Sequence, residues 1–241
     1  MCRSVELART NLPAERKKAV TDLCTILIVM FLILGIYMAF QSWFHSFAND
    51  KSVAILLRTL VMALMQFGLA GLGITVVSVF RKESFLGYGF REKGIFPSII
   101  LSALMFIPYF AFAVYTGAFS GYMPFKTVWM TEDILSSGFP VNVVGMLIVA
   151  IAWGFFEGFN YVVISEKINT IFPPKNMWLN WGAIICGVMC ILIHGMVGVT
   201  VKNIIEMAAV FIIIYGMLLV KERTGNAWGS VFAFILLWNA F

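Results

Sequence analysis

The stretch that decides the fold is VNVVGMLIVAIAWGFFEGFNYVVI, residues 141–164, which carries a single charged side chain, Glu157. A helix that crosses a bilayer needs about 20 mostly apolar residues, so this run is long enough. Gly154 and Gly158 within it form a GxxxG spacing, which favours close approach of a second helix. The whole chain is 61% hydrophobic and 12% charged, with a mean hydropathy of +0.93. These features predict an all-α fold, a polytopic bundle of transmembrane helices.

Six further apolar runs accompany this one along the chain. In order, the seven predicted spans are Leu23–Phe40, Val53–Phe80, Ile95–Thr116, Val141–Ile164, Trp178–Val201, Ile204–Val220 and Ala227–Phe241. Only Lys202 and Asn203 separate the fifth run from the sixth, which predicts a tight turn. Residues 1–22 are expected to form a cytoplasmic N-terminal segment, and residues 23–241 a single transmembrane domain of about seven spans.

Lysine and arginine are unevenly distributed among the segments outside these spans. Along the chain the successive segments carry five, one, four, one, two, one and two of them. Positive charge marks the cytoplasmic side, so this alternation places the N-terminus in the cytoplasm. The net charge of +5 then reflects membrane orientation, and no nucleic-acid partner is expected. Membrane lipid is the expected partner, and we expect a multi-pass protein of a cell membrane, the bacterial plasma membrane.

Four ionisable side chains of the apolar runs are candidates for function, because charged groups are costly in hydrocarbon. Arg58 lies near one end of its span, and its long stem predicts that the guanidinium reaches the interface. Glu206 follows Lys202 by four residues near a helix start, which favours a structural role. Glu157 has no local partner of this kind, and His194 is the best candidate to pair with it.

Glu157, His194 and Asn239 belong to three different spans and are predicted to lie at similar depths. At 1.5 Å per helical residue, the distance from the nearest turn on one side is about 22 Å, about 27 Å and about 21 Å respectively. We therefore expect the three side chains to converge inside the bundle. Asn160 and Tyr161 follow Glu157 closely and are predicted to bind the ligand of the same site.

An acid, an imidazole and a carboxamide suit hydrolysis by an activated water. Glu157 would take the proton, His194 would orient the water and Asn239 would steady the oxyanion. The first alternative is a hydrogen-bond cluster that only joins helices. The second is a metal site of Cys190, His194 and Glu157, although packing suits the thiols of Cys190 and Cys186 better. No cofactor is expected.

Three segments of the last hundred residues carry a family resemblance. Glu157-Gly-Phe-Asn-Tyr-Val162 is similar to an EExxxR motif, and Cys190-Ile-Leu-Ile-His194 is similar to FxxxH. Lys221-Glu-Arg-Thr-Gly-Asn-Ala-Trp228 is similar to the turn that precedes an HxxxN motif, in which Asn239 matches the asparagine. Together these motifs resemble the CPBP family, the CAAX-protease and bacteriocin-processing intramembrane endopeptidases. The CPBP-like core would be residues 141–241.

The resemblance implies a polytopic helical protein with a glutamate as general base. Carried over by position, the base is Glu157, and His194 and Asn239 surround the water and the oxyanion. The stretch Phe85-Leu-Gly-Tyr-Gly-Phe-Arg-Glu-Lys93 also resembles the family's cytoplasmic loop after an early span. The apolar pattern predicts only that Glu157, His194 and Asn239 lie close together. The resemblance implies a catalytic role for each of them.

The chain departs from the family pattern at positions that carry chemistry. Gly158 replaces the second glutamate, Val162 the arginine, and Ile235 a histidine. The expected function is therefore that of a CAAX-type intramembrane endopeptidase with an incomplete catalytic set and weak or altered hydrolysis. The alternative is a non-catalytic pseudo-protease that binds a transmembrane or lipidated partner for self-immunity or regulation. A small-solute transporter is disfavoured, because no inverted repeat is visible.

Overall fold

Every regular element in the described part of the chain is helical, which confirms the all-α prediction. The computed structural model describes the backbone of residues 2–241 and the side chains of residues 13–241. Residue 1 and the side chains of residues 2–12, which form the first half of the predicted N-terminal segment, lie outside the described residues.

The α-helices follow one another with short connections, and three π-helical segments continue them. The helices are α1 Cys2–Ala39, α2 Gln41–Asn49, α3 Ile55–Phe67, α4 Gly73–Arg81, α5 Ile95–Leu104, α6 Ile107–Tyr115, α7 Thr131–Ser136, α8 Val141–Val149, α9 Glu157–Ile171, α10 Trp181–Ile193, α11 Val201–Thr224 and α12 Trp228–Ala233. The π segments are Gly68–Leu72, Ala150–Phe156 and Phe234–Trp238. A short 3₁₀ helix covers Phe85–Tyr88.

Five continuous helices are long and apolar enough to cross a membrane. They are Pro13–Ala39, Ile55–Arg81, Ile95–Tyr115, Val141–Ile171 and Val201–Thr224. Trp181–Ile193 and Trp228–Trp238 are also apolar but shorter. The chain is therefore a membrane protein, while the count of about seven crossings stays a prediction.

The boundary between the fifth and sixth predicted spans was wrong. Lys202 and Asn203 lie in the first turn of α11, and the break comes earlier, after Ile193. Gly195 adopts φ +64°, its N–H donates to the Leu192 carbonyl, and the following N–H donates to the Ile191 carbonyl. This is a Schellman motif, which a glycine in the left-handed conformation stabilises. The motif ends α10 at its C-cap, His194. The hydropathy pattern of the sequence does not reveal this helix end.

Arg58 is enclosed by protein, while its reach to the membrane interface stays a prediction. Its side chain is buried, at 4% exposure for the residue. The guanidinium donates to the Ala48 carbonyl at 2.8 Å and to Asp133 Oδ2 at 3.2 Å. Arg58 therefore joins α2, α3 and α7, because a buried cation needs a paired anion and further acceptors.

Helix α9 forms the centre of the bundle. Phe159 and Val163 are fully buried within it, and α1, α10, α11 and α12 pack around it. A Cβ on Gly158 would lie 2.8 Å from the Ser230 carbonyl oxygen, so α12 approaches α9 closely there. Gly154 meets the side chain of Ile235 in the same way. The GxxxG spacing thus seats the last helix against α9.

A charge network joins α1, α4 and α9 at the end of the bundle that carries residues 81–94, which we call the basic end. The buried carboxylate of Asp22 accepts from Arg81 Nε at 2.7 Å and from Lys167 Nζ at 2.9 Å. Glu83 accepts from Lys18 Nζ at 2.6 Å and from Lys167 Nζ at 3.1 Å. These paired charges fix the first helix to the core of the bundle.

Two titratable groups of this network have shifted pKa values. Burial raises the pKa of Glu83, but hydrogen bonds from Lys18, Tyr88 and Lys167 outweigh burial and lower that pKa to about 2. Burial, followed by the hydrogen bond to Glu83, raises the pKa of Tyr88 to about 12. Glu83 therefore stays ionised and Tyr88 neutral near neutral pH.

The two loop segments that carry the resemblance interlock at the basic end. The fully buried Asn226 donates through Nδ2 to the carbonyls of Arg91 at 2.6 Å and Lys93 at 3.1 Å. The Ala227 N–H donates to the Gly89 carbonyl at 2.9 Å. The 85–93 loop and the 221–228 turn thus orient the helix that leads to Asn239.

Candidate functional site

One cavity of about 320 Å³ is lined by all five residues predicted for the site. They are Glu157, Asn160, Tyr161, His194 and Asn239. A volume near 300 Å³ is at the lower end of those that hold small ligands. The structure therefore places the acid, the imidazole and the carboxamide around a common space, while their catalytic roles stay predictions.

The observed helix ends place Glu157 and His194 at similar depths. Glu157 lies fourteen residues before the end of α9 at Ile171, which is about 21 Å. His194 lies thirteen residues after the start of α10 at Trp181, which is about 20 Å. The agreement is closer than the sequence predicted, because α10 begins later than the apolar run does.

Glu157 is an enclosed carboxylate in the wall of the cavity, with its side chain 10% exposed. One carboxylate oxygen, Oε1, lies 3.6 Å from His194 Nε2. The other, Oε2, accepts from Gln66 Nε2 at 2.8 Å. The two oxygens therefore have separate partners, and the amide of Gln66 fixes the orientation that directs Oε1 to the imidazole.

His194 occupies the C-cap position of α10, where the Schellman motif ends the helix. The orphan carbonyls at a helix C-terminus favour a cationic side chain nearby. The ring of Trp238 meets the imidazole edge-to-face, with 5.6 Å between centroids. The imidazole is thereby held between the carboxylate of Glu157 and the last helical segment.

Asn239 reaches the cavity at the end of the π segment Phe234–Trp238. Thr127 Oγ1 donates to Asn239 Oδ1 at 2.8 Å, and the Thr127 N–H donates to the Asn239 carbonyl at 3.2 Å. Because the amide oxygen is engaged, the orientation of the carboxamide is set. Its NH₂ group remains a donor for a developing negative charge.

Asn160 and Tyr161 differ in how they are held. The Tyr161 ring stacks on Phe234 with centroids 5.5 Å apart, and its backbone carbonyl accepts from the Cys186 thiol at 3.7 Å. Asn160 is 7% exposed, and its Oδ1 has no hydrogen-bond partner. Tyr161 is therefore a packed wall residue, whereas Asn160 presents an unsatisfied carboxamide.

The rest of the wall is mostly apolar and rich in methionine and aromatic side chains. Neither Lys nor Arg is among its lining residues. The methionines are Met30, Met62, Met65, Met130 and Met189, and the indoles are Trp129 and Trp153. Methionine is flexible and polarizable, so such a wall adapts to apolar ligands of varied shape.

The positions that depart from the family pattern add no polar group to this cavity. Val162 is buried in the core, and Gly158 packs on α12. Ile235 packs against Gly154 and is not among the lining residues. The polar groups of the wall therefore come from the five predicted residues, from Gln66 and Thr127, and from the polar ends of Tyr37, Trp129 and Trp153.

A metal site has no support in the described part of the chain. Among those residues no group of three or more His, Cys, Asp or Glu side chains is arranged to hold an ion. Cys190 is fully buried and belongs to the hydrophobic core. The three-ligand alternative with Glu157 and His194 is therefore not carried further.

Gln66 and Thr127 were missed by sequence reasoning. Gln66 is an uncharged residue inside an apolar run, and intramembrane glutamines commonly join helices by hydrogen bonds. That signal marks a polar contact but does not identify the partner on another helix. Thr127 lies in the connection between α6 and α7, where the sequence gives no hint of folding back onto the cavity.

No protein-family model, curated protein or solved structure matches this chain. The resemblance to CPBP motifs therefore depends on the short segments quoted above. The geometry of the cavity and those segments together bear on the function.

Proposed function

We propose that the chain is a glutamate-dependent membrane endopeptidase of the CPBP type with an incomplete catalytic set. The observation that carries the proposal is the contact between the buried carboxylate of Glu157 and the imidazole of His194, at a cavity that Asn239 also lines. Glu157, His194 and Asn239 each occupy a position of the resembled motifs, although Gly158, Val162 and Ile235 depart from them. The apolar wall suits a substrate that comes from the membrane.

In the proposed reaction, Glu157 takes a proton from a water that His194 orients toward the scissile carbonyl. The water oxygen bonds to the carbonyl carbon, and the carbonyl electron pair becomes an oxyanion. The NH₂ group of Asn239 donates to that oxyanion. Glu157 then returns the proton to the leaving amine as the C–N bond breaks.

The rate is expected to be low. Ile235 replaces the second histidine of the family pattern, and an aliphatic side chain offers no donor. Loss of one oxyanion donor costs about 10²–10³ in rate. Hydrolysis would therefore be measured as slow turnover, over hours rather than minutes.

Variants of Glu157 and His194 test this proposal directly. Purified protein in detergent should cleave members of a panel of quenched fluorogenic apolar peptides, and Glu157→Gln and His194→Ala should abolish that cleavage. Both variants should elute from size exclusion like the wild type, because the changes are small. Equal turnover by all three proteins would refute the proposal.

A second function is a non-catalytic module that holds a transmembrane or lipidated partner. The absence of a second histidine among the lining residues favours it. This function predicts a partner that co-purifies with Glu157→Gln as well as with the wild type. Peptidase activity in a solitary, monodisperse protein would decide for the enzyme instead.

We also propose seven crossings with a cytoplasmic N-terminus, in the plasma membrane of a bacterium. The alternation of Lys and Arg supports it, and each predicted run overlaps with one of the seven apolar helices. In a background free of cysteine, an impermeant maleimide should label Ser52→Cys in intact cells. Lys175→Cys should react only after the cells are permeabilised, and labelling of both in intact cells would contradict this topology.

A further inference from the structure

The carboxamide of Asn160 is a polar group left without a partner in an enclosed place. The residue is 7% exposed, and none of the side-chain hydrogen bonds among the described residues involves it. Leaving a buried amide unpaired is destabilising, so such groups in native proteins call for an explanation. One such explanation is a ligand that supplies the missing hydrogen-bond partner.

Asn160 differs from the other unpartnered side chains in its position. Ser78, Ser102 and Ser230 also have buried hydroxyls without partners, but they pack between helices away from the cavity wall. Asn160 alone among these four lines the cavity. Its carboxamide therefore belongs to the wall of the space in which a ligand would lie, with the unpaired Oδ1 buried in that wall.

The register of α9 adds a second geometric relation. Asn160 follows Glu157 by three residues, so both side chains project from one face of the helix. A ligand group bound to Asn160 would lie about one helical turn, roughly 5 Å, from the carboxylate. That spacing is comparable to the separation of neighbouring groups along a peptide backbone.

We propose that Asn160 recognises a backbone amide of the ligand, next to the amide whose carbonyl carbon is attacked by the water that Glu157 deprotonates. A carboxamide offers one acceptor and two donors, which match the N–H and C=O of an amide. Most of the remaining wall is apolar, so the recognised molecule is an apolar peptide segment that exposes one unpaired amide. This inference rests on the proposed function, since it names how that site holds its substrate.

Binding of a matched pair of peptides tests the inference. The probes are a fluorescent octapeptide of leucine, alanine and methionine and its copy with every backbone amide N-methylated. The Glu157→Gln protein in detergent should bind the unmodified peptide roughly tenfold more tightly than the N-methylated copy. Addition of Asn160→Leu should remove that preference, and Asn160→Ala should do the same.

Thermal stability separates recognition from a structural role. Asn160→Leu should raise Tm while it removes the preference, because an apolar side chain needs no partner there. Ser78→Ala removes a different unpartnered polar group, a hydroxyl. It should leave the tenfold preference for the unmodified peptide unchanged. A lowered Tm with an unchanged preference would mean that Asn160 is structural. Failure of both peptides to bind any variant would refute the proposed function itself.

Discussion

Gln66 donates the hydrogen bond that orients Glu157, and the sequence did not predict this contact. The sequence identified Glu157, His194 and Asn239, because ionisable and amide groups are conspicuous inside apolar runs. It did not identify the donor to Glu157 Oε2, because Gln66 comes from a helix some ninety positions earlier in the chain. Side-chain pairing between distant helices depends on their packing, which no local pattern encodes.

Replacing Gln66 should impair hydrolysis without unfolding the protein. Gln66→Leu removes the donor at 2.8 Å from Glu157 Oε2, so the carboxylate loses the contact that orients it toward His194. We expect kcat to fall about 10- to 100-fold with KM nearly unchanged. Misplacement of a reacting group by about 1 Å can lower the rate by up to about 100-fold. Steady-state kinetics on the best peptide of the panel measure both constants.

Thr59→Val is a matched control for this variant. Thr59 lies on the same helix, is fully buried, and bonds only to the Ile55 carbonyl of its own turn. Its replacement should leave kcat within about twofold of the wild-type value. A comparable loss in both variants would show that Gln66 acts through packing rather than through Glu157.

Irregular helix ends and π segments position the site at the level of the elements. Glu157 directly follows one π segment and Asn239 directly follows another, while Gln66 lies two residues before the third. Such segments are often found at functional sites. Apolar periodicity predicted the helices but not these wide turns, because one extra residue per turn leaves hydropathy unchanged.

Gly195→Ala should weaken both stability and catalysis. A Cβ at Gly195 would meet no atom within 4 Å, so the cost arises from φ +64° alone, about 1–2 kcal/mol. Disturbing the Schellman motif would move His194, so cleavage should fall as well as Tm. Thermal unfolding and the peptide assay report the two effects separately.

Gly138→Ala provides the comparison, because Gly138 also has φ +76° and open space around its Cβ position. It lies in the connection between α7 and α8, and it does not line the cavity. It should lose a similar amount of stability and keep its activity. An inactive Gly138→Ala would show that the assay follows stability rather than the position of His194.

The whole molecule is fastened at the basic end by ion pairs that cross from α1 to α4 and α9. The sequence predicted that positive charge gathers here, but it treated Lys167 as part of a loop. In the structure Lys167 lies inside α9 and is buried beside Asp22. Charge counting predicts the side of the membrane, yet it could not show that opposite charges pair across the helices.

Acid should weaken this fastening. Because the pKa of Glu83 is lowered from 4.5 to about 2, its contribution to stability is complete above about pH 4.5 and is lost as pH falls toward 2. The Tm of the wild type in detergent should therefore drop by a few degrees more than that of Glu83→Gln between pH 6 and pH 3. Parallel Tm curves for the two proteins would contradict this role of Glu83.

The connection between α6 and α7 is joined to the last residues of the chain by two backbone hydrogen bonds. The N–H groups of Met123 and Thr127 donate to the carbonyls of Ala240 and Asn239. If this connection separated from the last residues, the backbone amides of Met123 and Thr127 would exchange with solvent deuterons. A molecule that entered between them would accelerate that exchange, whereas one arriving sideways from the lipid would leave it slow, so isotope uptake at two positions reveals the direction of entry.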